Sequence, residues 1–312
     1  MVLLLQNIFH SHKLPSNSKL EDNGDRKSDA LSASLHVFRS EISASLNLLS
    51  PNSKPTSEFL SLPWIHQCLQ LLPTLNKALA KLASEIEYPI NEWEAPSIEK
   101  YLNYSLKVLD FLNSITASLS HLAQARVSIS HALSLLESSP ESAIERLRAI
   151  QFKNQNNGLI LKVEEKEESE ESSKYTGNGK QWVFHEAMEE MKRIGYWVCG
   201  AVLFGLSGDA GACSAMERLG AGGGFPVSSF PAADFRFPKQ LREVEEAAAC
   251  VVAAAVGDCG ESGGGGVGKE LERKLEVMEE MLDRIGKEAD GIFSELLTGR
   301  NEALDVLRQL KR

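Results

Sequence analysis

The sequence predicts an all-α protein, an elongated helical bundle with long coiled-coil-like helices and disordered acidic and Gly-rich linkers. Leucine and alanine supply most of the apolar residues and only 7% of the chain is aromatic, a balance that favours helices over a β-sandwich. A stretch without glycine or proline runs over 98–138, and the segment after 271 repeats its apolar residues at steps of three and four. With 312 residues, the chain is long enough to bury a substantial core.

The first 27 residues are predicted to form a disordered tail. They lack the positively charged start and the small-residue cleavage site of a secretory signal, so secretion is not expected. No acidic residue precedes Glu21, which is faintly similar to a plastid transit peptide. We therefore expect an intracellular protein, and its location in the cytoplasm, at a membrane or in a plastid stays open.

Apolar residues at helical spacing predict an N-terminal helical region over 28–152. Its first helix covers about 28–50, and its second about 58–87. Pro63 is expected near the start of the second helix, where a missing backbone N–H is harmless, and Pro73 is expected to kink or divide it.

The connection 88–96 leads into the longest uninterrupted helix of this region. Ser97 is a candidate N-cap, and the helix is predicted over about 98–138, which at 1.5 Å per residue spans about 60 Å. A shorter helix is predicted from Pro140, because proline suits the first helical turn.

An acidic linker and a second helical region follow. The charge-dense stretch 153–180 contains little to bury and is predicted to be disordered. The region 181–312 is predicted to pack with the N-terminal helices into one bundle. Glycine-rich loops are expected at about 208–238 and 257–268, with an alanine-rich helix at 239–256 between them.

The C-terminal segment has the clearest periodicity in the chain. Its apolar residues predict a coiled-coil-like arm, in which Leu282 and Ile292 are candidate interaction or structural residues. Three glycines inside this pattern each weaken a helix by about 1 kcal/mol relative to alanine. Packing against the rest of the protein is therefore expected to stabilise the arm.

The apolar run 194–206 allows two interpretations. Its thirteen residues fall short of the roughly 20 that cross a bilayer, which favours a buried core helix, but extension to 216 adds only one charge. A membrane-inserted or surface-attached helix is the alternative. The residues that would form this membrane segment are Ile194, Trp197, Val202, Phe204 and Leu206.

Composition and spacing exclude several function classes. A net charge of −10 argues against nucleic acid as a partner, because nucleic-acid affinity depends on Lys and Arg that neutralise phosphates. The five cysteines form no C-x-x-C pair, and the histidines show no metal-binding spacing. The run Gly263-Gly264-Gly265-Gly266-Val267-Gly268-Lys269 is similar to a phosphate-binding loop, but Glu270 stands where that loop needs Ser or Thr. We predict no catalytic residue, no cofactor and no metal site.

One turn and the helix after it carry a specific combination of residues: Ile86-Glu87-Tyr88-Pro89-Ile90-Asn91-Glu92-Trp93, followed by Tyr101-Leu102, Ser105-Leu106-Lys107-Val108-Leu109-Asp110 and Asn113. This combination resembles the plant BYPASS/ROH-like family. The resemblance implies a helical protein without known enzymatic chemistry. BYPASS-like members are linked to restraining a root-derived mobile signal that arrests shoot growth, and ROH-like relatives are linked to exocyst-type secretion partners.

These observations predict a non-enzymatic developmental regulator that acts as a helical adaptor for other proteins, of exocyst or signalling type. Trp93 and Tyr101 are candidates for a recognition surface, although aromatic residues near a helix start more often fasten a turn to the bundle. The alternative is a membrane-associated regulator of secretion, anchored through 194–208. The sequence leaves the oligomeric state open.

Overall fold

The computed structural model describes residues 23–49, 61–150, 152, 179–208, 238–256 and 264–311. Within these ranges the chain forms α-helices and one short 3₁₀ turn, without a β-strand, so the all-α prediction is confirmed. The helices are α1 (Asn23–Asn47), α2 (Leu62–Glu85), α3 (Ala95–Ser134), α4 (Pro140–Ala149), α5 (Lys180–Ser207), α6 (Lys239–Val256) and α7 (Gly264–Leu310), and the 3₁₀ turn is Ile90–Glu92.

Several helices begin earlier than predicted. Helix α1 begins at Asn23, within the predicted tail, and α5 begins at Lys180, the last residue of the predicted linker. Helix α7 begins at Gly264, so the predicted loop ending at 268 is wrong over its last residues. Extension of an existing helix avoids the cost of nucleation and adds one hydrogen bond per residue, so a 47-residue helix can continue into glycines although each is about 1 kcal/mol less favourable than alanine. Most of the predicted linker and loops lie outside the described residues.

Helix α2 contains two prolines, Pro63 in its first turn as predicted and Pro73 in its interior. The Trp64 backbone N–H donates to Ser61 Oγ (3.2 Å), which caps the helix, and Pro63 lies in its first turn. The helix continues through Pro73 without a division. Leu72 and Leu75 on either side are buried, and this packing offsets the backbone hydrogen bond that proline removes.

The predicted cap of α3 is wrong. The N-cap is Glu94, and Ser97 already lies inside the helix behind Pro96 in the first turn. The Glu94 side chain makes no capping hydrogen bond; it accepts instead from the amide of Gln181 on α5 (2.7 Å). A tertiary contact has therefore replaced the local one that the sequence suggested.

Helix α7 packs along α3, and also contacts α2 and α6. At 47 residues it is about 70 Å long, which makes the bundle elongated. The apolar residues that repeat at steps of three and four along α7 form one face, which we call the seam. The seam is buried apart from half-buried Leu307 and exposed Leu310. The buried members of the seam are Leu271, Leu275, Met278, Leu282, Ile285, Ala289, Ile292, Leu296 and Ala303.

Helix α5 lies in the interior of the bundle, between α2 and α3. Every residue of its second half, 194–207, is buried. Two glycines allow the close approach of its neighbours: Gly195 faces the ring of Tyr104 on α3, and Gly205 faces Ile65 on α2. A helix that is apolar on all sides is expected to be buried in this way.

Candidate functional site

The turn that carries the family resemblance begins directly after Ile86, the C-cap of α2, with a residue in an unusual conformation. After α2, Glu87 adopts a φ of 52°, in the left-handed region that normally holds glycine. The Glu87 N–H donates to Ser84 O (3.1 Å) and the Tyr88 N–H to Ala83 O (2.8 Å), the two bonds of a Schellman motif. Lys180 of α5 donates to the Glu87 carbonyl (2.9 Å). The start of α5 thus fastens this turn.

We expect Glu87→Gly to stabilise the protein by about 0.5–1 kcal/mol, because a left-handed conformation costs an L-residue roughly 1–2 kcal/mol and glycine very little. The lost ion pair with Lys180 is exposed on the Glu87 side and contributes little. Glu87→Ala is the control, since it removes the same carboxylate but keeps the Cβ. Urea unfolding of both variants is the measurement; equal stability of the two would contradict backbone strain.

Four aromatic rings hold the turn against the bundle. Trp93 packs on Phe184 of α5 with ring centroids 4.3 Å apart and on Tyr101 of α3 at 5.9 Å, and Tyr88 meets Phe184 at 5.5 Å. The Trp93 indole N–H donates to the Tyr88 carbonyl (3.1 Å). Trp93 is only 6% exposed, so its side chain is packed inside the bundle.

Tyr101 joins this aromatic cluster to α7. A Cβ at Gly299 would lie 2.7 Å from the Tyr101 hydroxyl, so glycine allows the two helices to meet here. Arg300 beside it donates to the Leu102 carbonyl and to Ser105 Oγ (3.2 Å). Burial raises the pKa of Tyr101 to about 12, and the Glu302 carboxylate adds to the rise whereas Arg300 opposes it.

The raised pKa of Tyr101 predicts a loss of stability at high pH. Between pH 10 and about pH 12 the unfolded chain loses the phenolic proton while the folded chain keeps it, so stability falls as the pH rises. We expect the unfolding free energy of the wild type to fall more steeply than that of Tyr101→Phe, by up to about 1.4 kcal/mol per pH unit. Urea unfolding at several pH values measures the slopes, and equal slopes would contradict the prediction.

The other candidate residues from the sequence are also in the core. Leu282 and Ile292 lie in the buried seam of α7. Among the described residues, no helix combines the length and the apolar character needed to cross a membrane. The proposed membrane residues are packed inside the bundle: Ile194, Trp197, Val202, Phe204 and Leu206.

In the described part of the chain, the candidate metal-ligating, phosphate-binding and nucleophilic residues do not come together into a site. No group of three His, Cys, Asp or Glu side chains there could hold a metal ion. The run that is similar to a phosphate-binding loop is helical from Gly264 onwards, so its backbone does not form such a loop there. Burial raises the pKa of the Cys199 thiol, which is opposite to the shift that activates a nucleophile.

A feature that sequence reasoning missed is an apolar groove between α4 and α6, which we call the α4–α6 groove. Its volume is about 450 Å³, within the range of ligand-binding clefts. Its lining includes the buried side chains Ile129, Leu147 and Phe152, and the more exposed Ala249, Val252 and Val256 of α6. A sequence signal existed: from 247 to 256, α6 is apolar on all sides apart from Cys250.

Two charged side chains line the same groove. Arg148 comes from α4 and Glu245 from α6, and neither has an ion pair among the described residues. Partial burial raises the pKa of Glu245, and the neighbouring carboxylate of Glu246 adds to the shift. The groove therefore combines an aliphatic surface with one unpaired charge of each sign.

Comparison with known proteins identifies relatives for part of the chain. This chain is 29% identical to "Protein BPS1, chloroplastic" of Arabidopsis thaliana over 109 residues. The matched region makes up 35% of this chain and 31% of that protein. The chain is 30% identical over 115 residues to "UPF0496 protein 4" of Oryza sativa subsp. indica and of subsp. japonica, which covers 37% of this chain and 25% of the rice proteins.

The matched region covers only part of this chain and only part of each relative. The chain spans between a quarter and a third of the length of these relatives. No family model matches the chain, and no solved structure matches it. The resemblance predicted from the turn and helix motif is nevertheless confirmed: over about a third of its length the chain is a homologue of the plant proteins BPS1 and UPF0496 protein 4.

Proposed function

We propose that the chain is a plant developmental regulator that acts as a helical adaptor, binding other proteins and positioning them without catalytic turnover. The similarity to BPS1 supports the plant developmental setting. A role in restraining a root-derived signal that arrests shoot growth is implied by the family resemblance of the turn and helix motif, and it is part of the proposal. Because BPS1 is named as a chloroplastic protein, a plastid location is part of the proposal.

The α4–α6 groove carries the adaptor proposal. Apolar surface in contact with water is unfavourable by about 25 cal/mol per Å², and large exposed apolar patches commonly mark interaction sites. Val256 at one end of the groove is 57% exposed although it belongs to an almost wholly apolar stretch of helix. Covering this surface with a partner protein would remove that cost and add a specific contact.

A membrane-anchored regulator of exocyst-type secretion is the second function that the family resemblance implies. Anchoring through 194–208 would require α5 to leave its position between α2 and α3 and expose the buried face of both. The burial of this segment therefore favours the adaptor over the anchored regulator.

The test is replacement of the gene in its own plant by variants of the groove. Val256→Glu places a charge in the groove at an exposed position, so the fold is retained. Val37→Glu is the matched control: the same substitution at a 43% exposed position on α1, away from the groove. We expect the control to support normal root and shoot growth and Val256→Glu to resemble gene loss. Normal growth with both variants, or unaltered growth after gene loss, would contradict the proposal.

A further inference from the structure

We infer that the occupant of the α4–α6 groove is an amphipathic α-helix of a partner protein, about three turns long, with an acidic edge towards α4 and a basic edge towards α6. This inference rests on the proposed adaptor function and adds the chemistry of the partner. It follows from three properties of the groove. These are the apolar residues on two sides of α6, the spacing of the groove residues along α6, and the two charged side chains that line the groove.

The first property is that α6 has apolar residues on two sides and buries them unevenly. Leu241, Val244 and Val251 are buried, and α6 packs against α7 and, less extensively, against α4. On the groove side, Ala249 and Val256 are exposed and Val252 is half-buried. Since helices that are apolar all round are normally buried, the groove side is expected to be covered when the protein is in its complex.

The second property is the spacing of the groove residues along α6. Glu245, Ala249, Val252 and Val256 follow one another at steps of four, three and four, so they form a straight stripe along the helix. The stripe is about 16 Å long at 1.5 Å per residue, which corresponds to three helical turns. A second helix laid along it would insert side chains at i, i+4 and i+7, the pattern of helix-in-groove recognition.

The small side chains of the α6 wall favour a helix over a bulkier occupant. Ala248, Ala249 and Ala253 all line the groove. Alanine allows two helix axes to approach closely, and interaxial distances depend on the side chains at the contact. The cavity of about 450 Å³ then has room for the side chains of one helix face, while the body of that helix stays in solvent.

The third property, the pair of charged side chains, sets the orientation of the partner helix in the groove. Arg148 on the α4 side and Glu245 on the α6 side are both without an ion pair in the described structure. A partner helix with acidic residues along one edge and basic residues along the other would pair with both charges. In the reversed rotation each charge would meet its own sign, which disfavours that arrangement.

A phage-displayed library of helical peptides, selected against the full chain, tests the inference. We expect enriched peptides to share apolar residues at i, i+4 and i+7 with the predicted charged edges. The best one, made synthetically and labelled with fluorescein, should bind with an anisotropy change. Its affinity should fall at least tenfold for Val256→Glu and for Ala249→Glu, and should stay the same for Val37→Glu. Exchanging its acidic and basic residues should also weaken binding at least tenfold.

Several results would overturn the inference. No enrichment, or peptides that bind Val256→Glu and the wild type equally well, would exclude a helix in this groove. Self-association that is lost in Val256→Glu would assign the groove to a second copy, and peptide binding only after deletion of 153–178 would assign it to the chain itself. If growth depends on Val256 while selection fails, the adaptor function stands and the helical partner is wrong. If selection succeeds while growth is normal, the proposed function fails.

Discussion

Ile292→Asp is expected to leave the protein unfolded at 25 °C. Ile292 is 3% exposed in the seam between α7 and the rest of the bundle, so the aspartate would replace a packed aliphatic side chain with an unpaired carboxyl group. Loss of a buried isoleucine side chain alone costs about 2–5 kcal/mol, and burial of a charge without a partner adds several more. The sum approaches the whole stability of a typical domain, about 5–15 kcal/mol.

The control for this variant lies on the same helix. Val277→Asp introduces the same carboxylate at a position that is 43% exposed, and its effect is expected to stay within about 1 kcal/mol. Far-ultraviolet circular dichroism and urea unfolding measure both. If Ile292→Asp retained the helical signal and a cooperative transition, α7 would not be part of the core.

This result also bears on how interaction experiments are read. A variant at Leu282 or Ile292 that no longer captures a partner would have lost its fold, and not a contact with the partner, because both side chains are buried in the seam. Substitutions at exposed positions of the α4–α6 groove separate the two effects.

Gly195→Val is expected to destabilise the protein by about 3 kcal/mol or more. A Cβ at Gly195 would lie 2.6 Å from the Tyr104 hydroxyl oxygen and 2.9 Å from ring carbon Cε2, closer than a Cβ atom approaches a non-bonded heavy atom. Tyr104 is fully buried, and its ring lies 5.8 Å from that of Tyr196, so a rigid ring would have to move within a packed core. Overpacking of this kind commonly costs about 1–3 kcal/mol, and the two γ-methyl groups of valine increase it.

Two comparisons isolate the steric contact with Tyr104. Gly291→Val on α7 has open space around it, so the same substitution there should change stability by less than about 0.5 kcal/mol. Adding Tyr104→Phe to Gly195→Val removes the closest atom and should recover part of the loss, which makes the two substitutions non-additive. Urea unfolding of the wild type, Gly195→Val, Tyr104→Phe and the double variant gives the coupling energy. Equal effects at Gly195 and Gly291 would show that helix propensity, and not packing, governs both sites.

The aromatic turn was located from the sequence, whereas the α4–α6 groove was not. Trp93 and Tyr101 were predicted either to fasten the turn or to form a recognition surface, and in the structure their rings pack against each other with Trp93 buried. The groove was missed because its walls come from distant parts of the chain: Ile129 on α3, Phe152 after α4 and Val252 on α6.

The sequence by itself determined the helical class, the alanine-rich helix at 239–256, the helix start at Pro140 and the buried face of α7. These features follow from the 3.6-residue period, from proline and from the alternation of apolar and polar residues, all of which act between near neighbours in the chain. Only the tertiary structure decided that Glu94 replaces Ser97 as the cap of α3, that Gly195 meets Tyr104 and that part of the apolar surface of α6 stays exposed in a groove. Each of these depends on contacts between residues far apart in sequence, and periodicity within one helix carries no information about which other helix will face it.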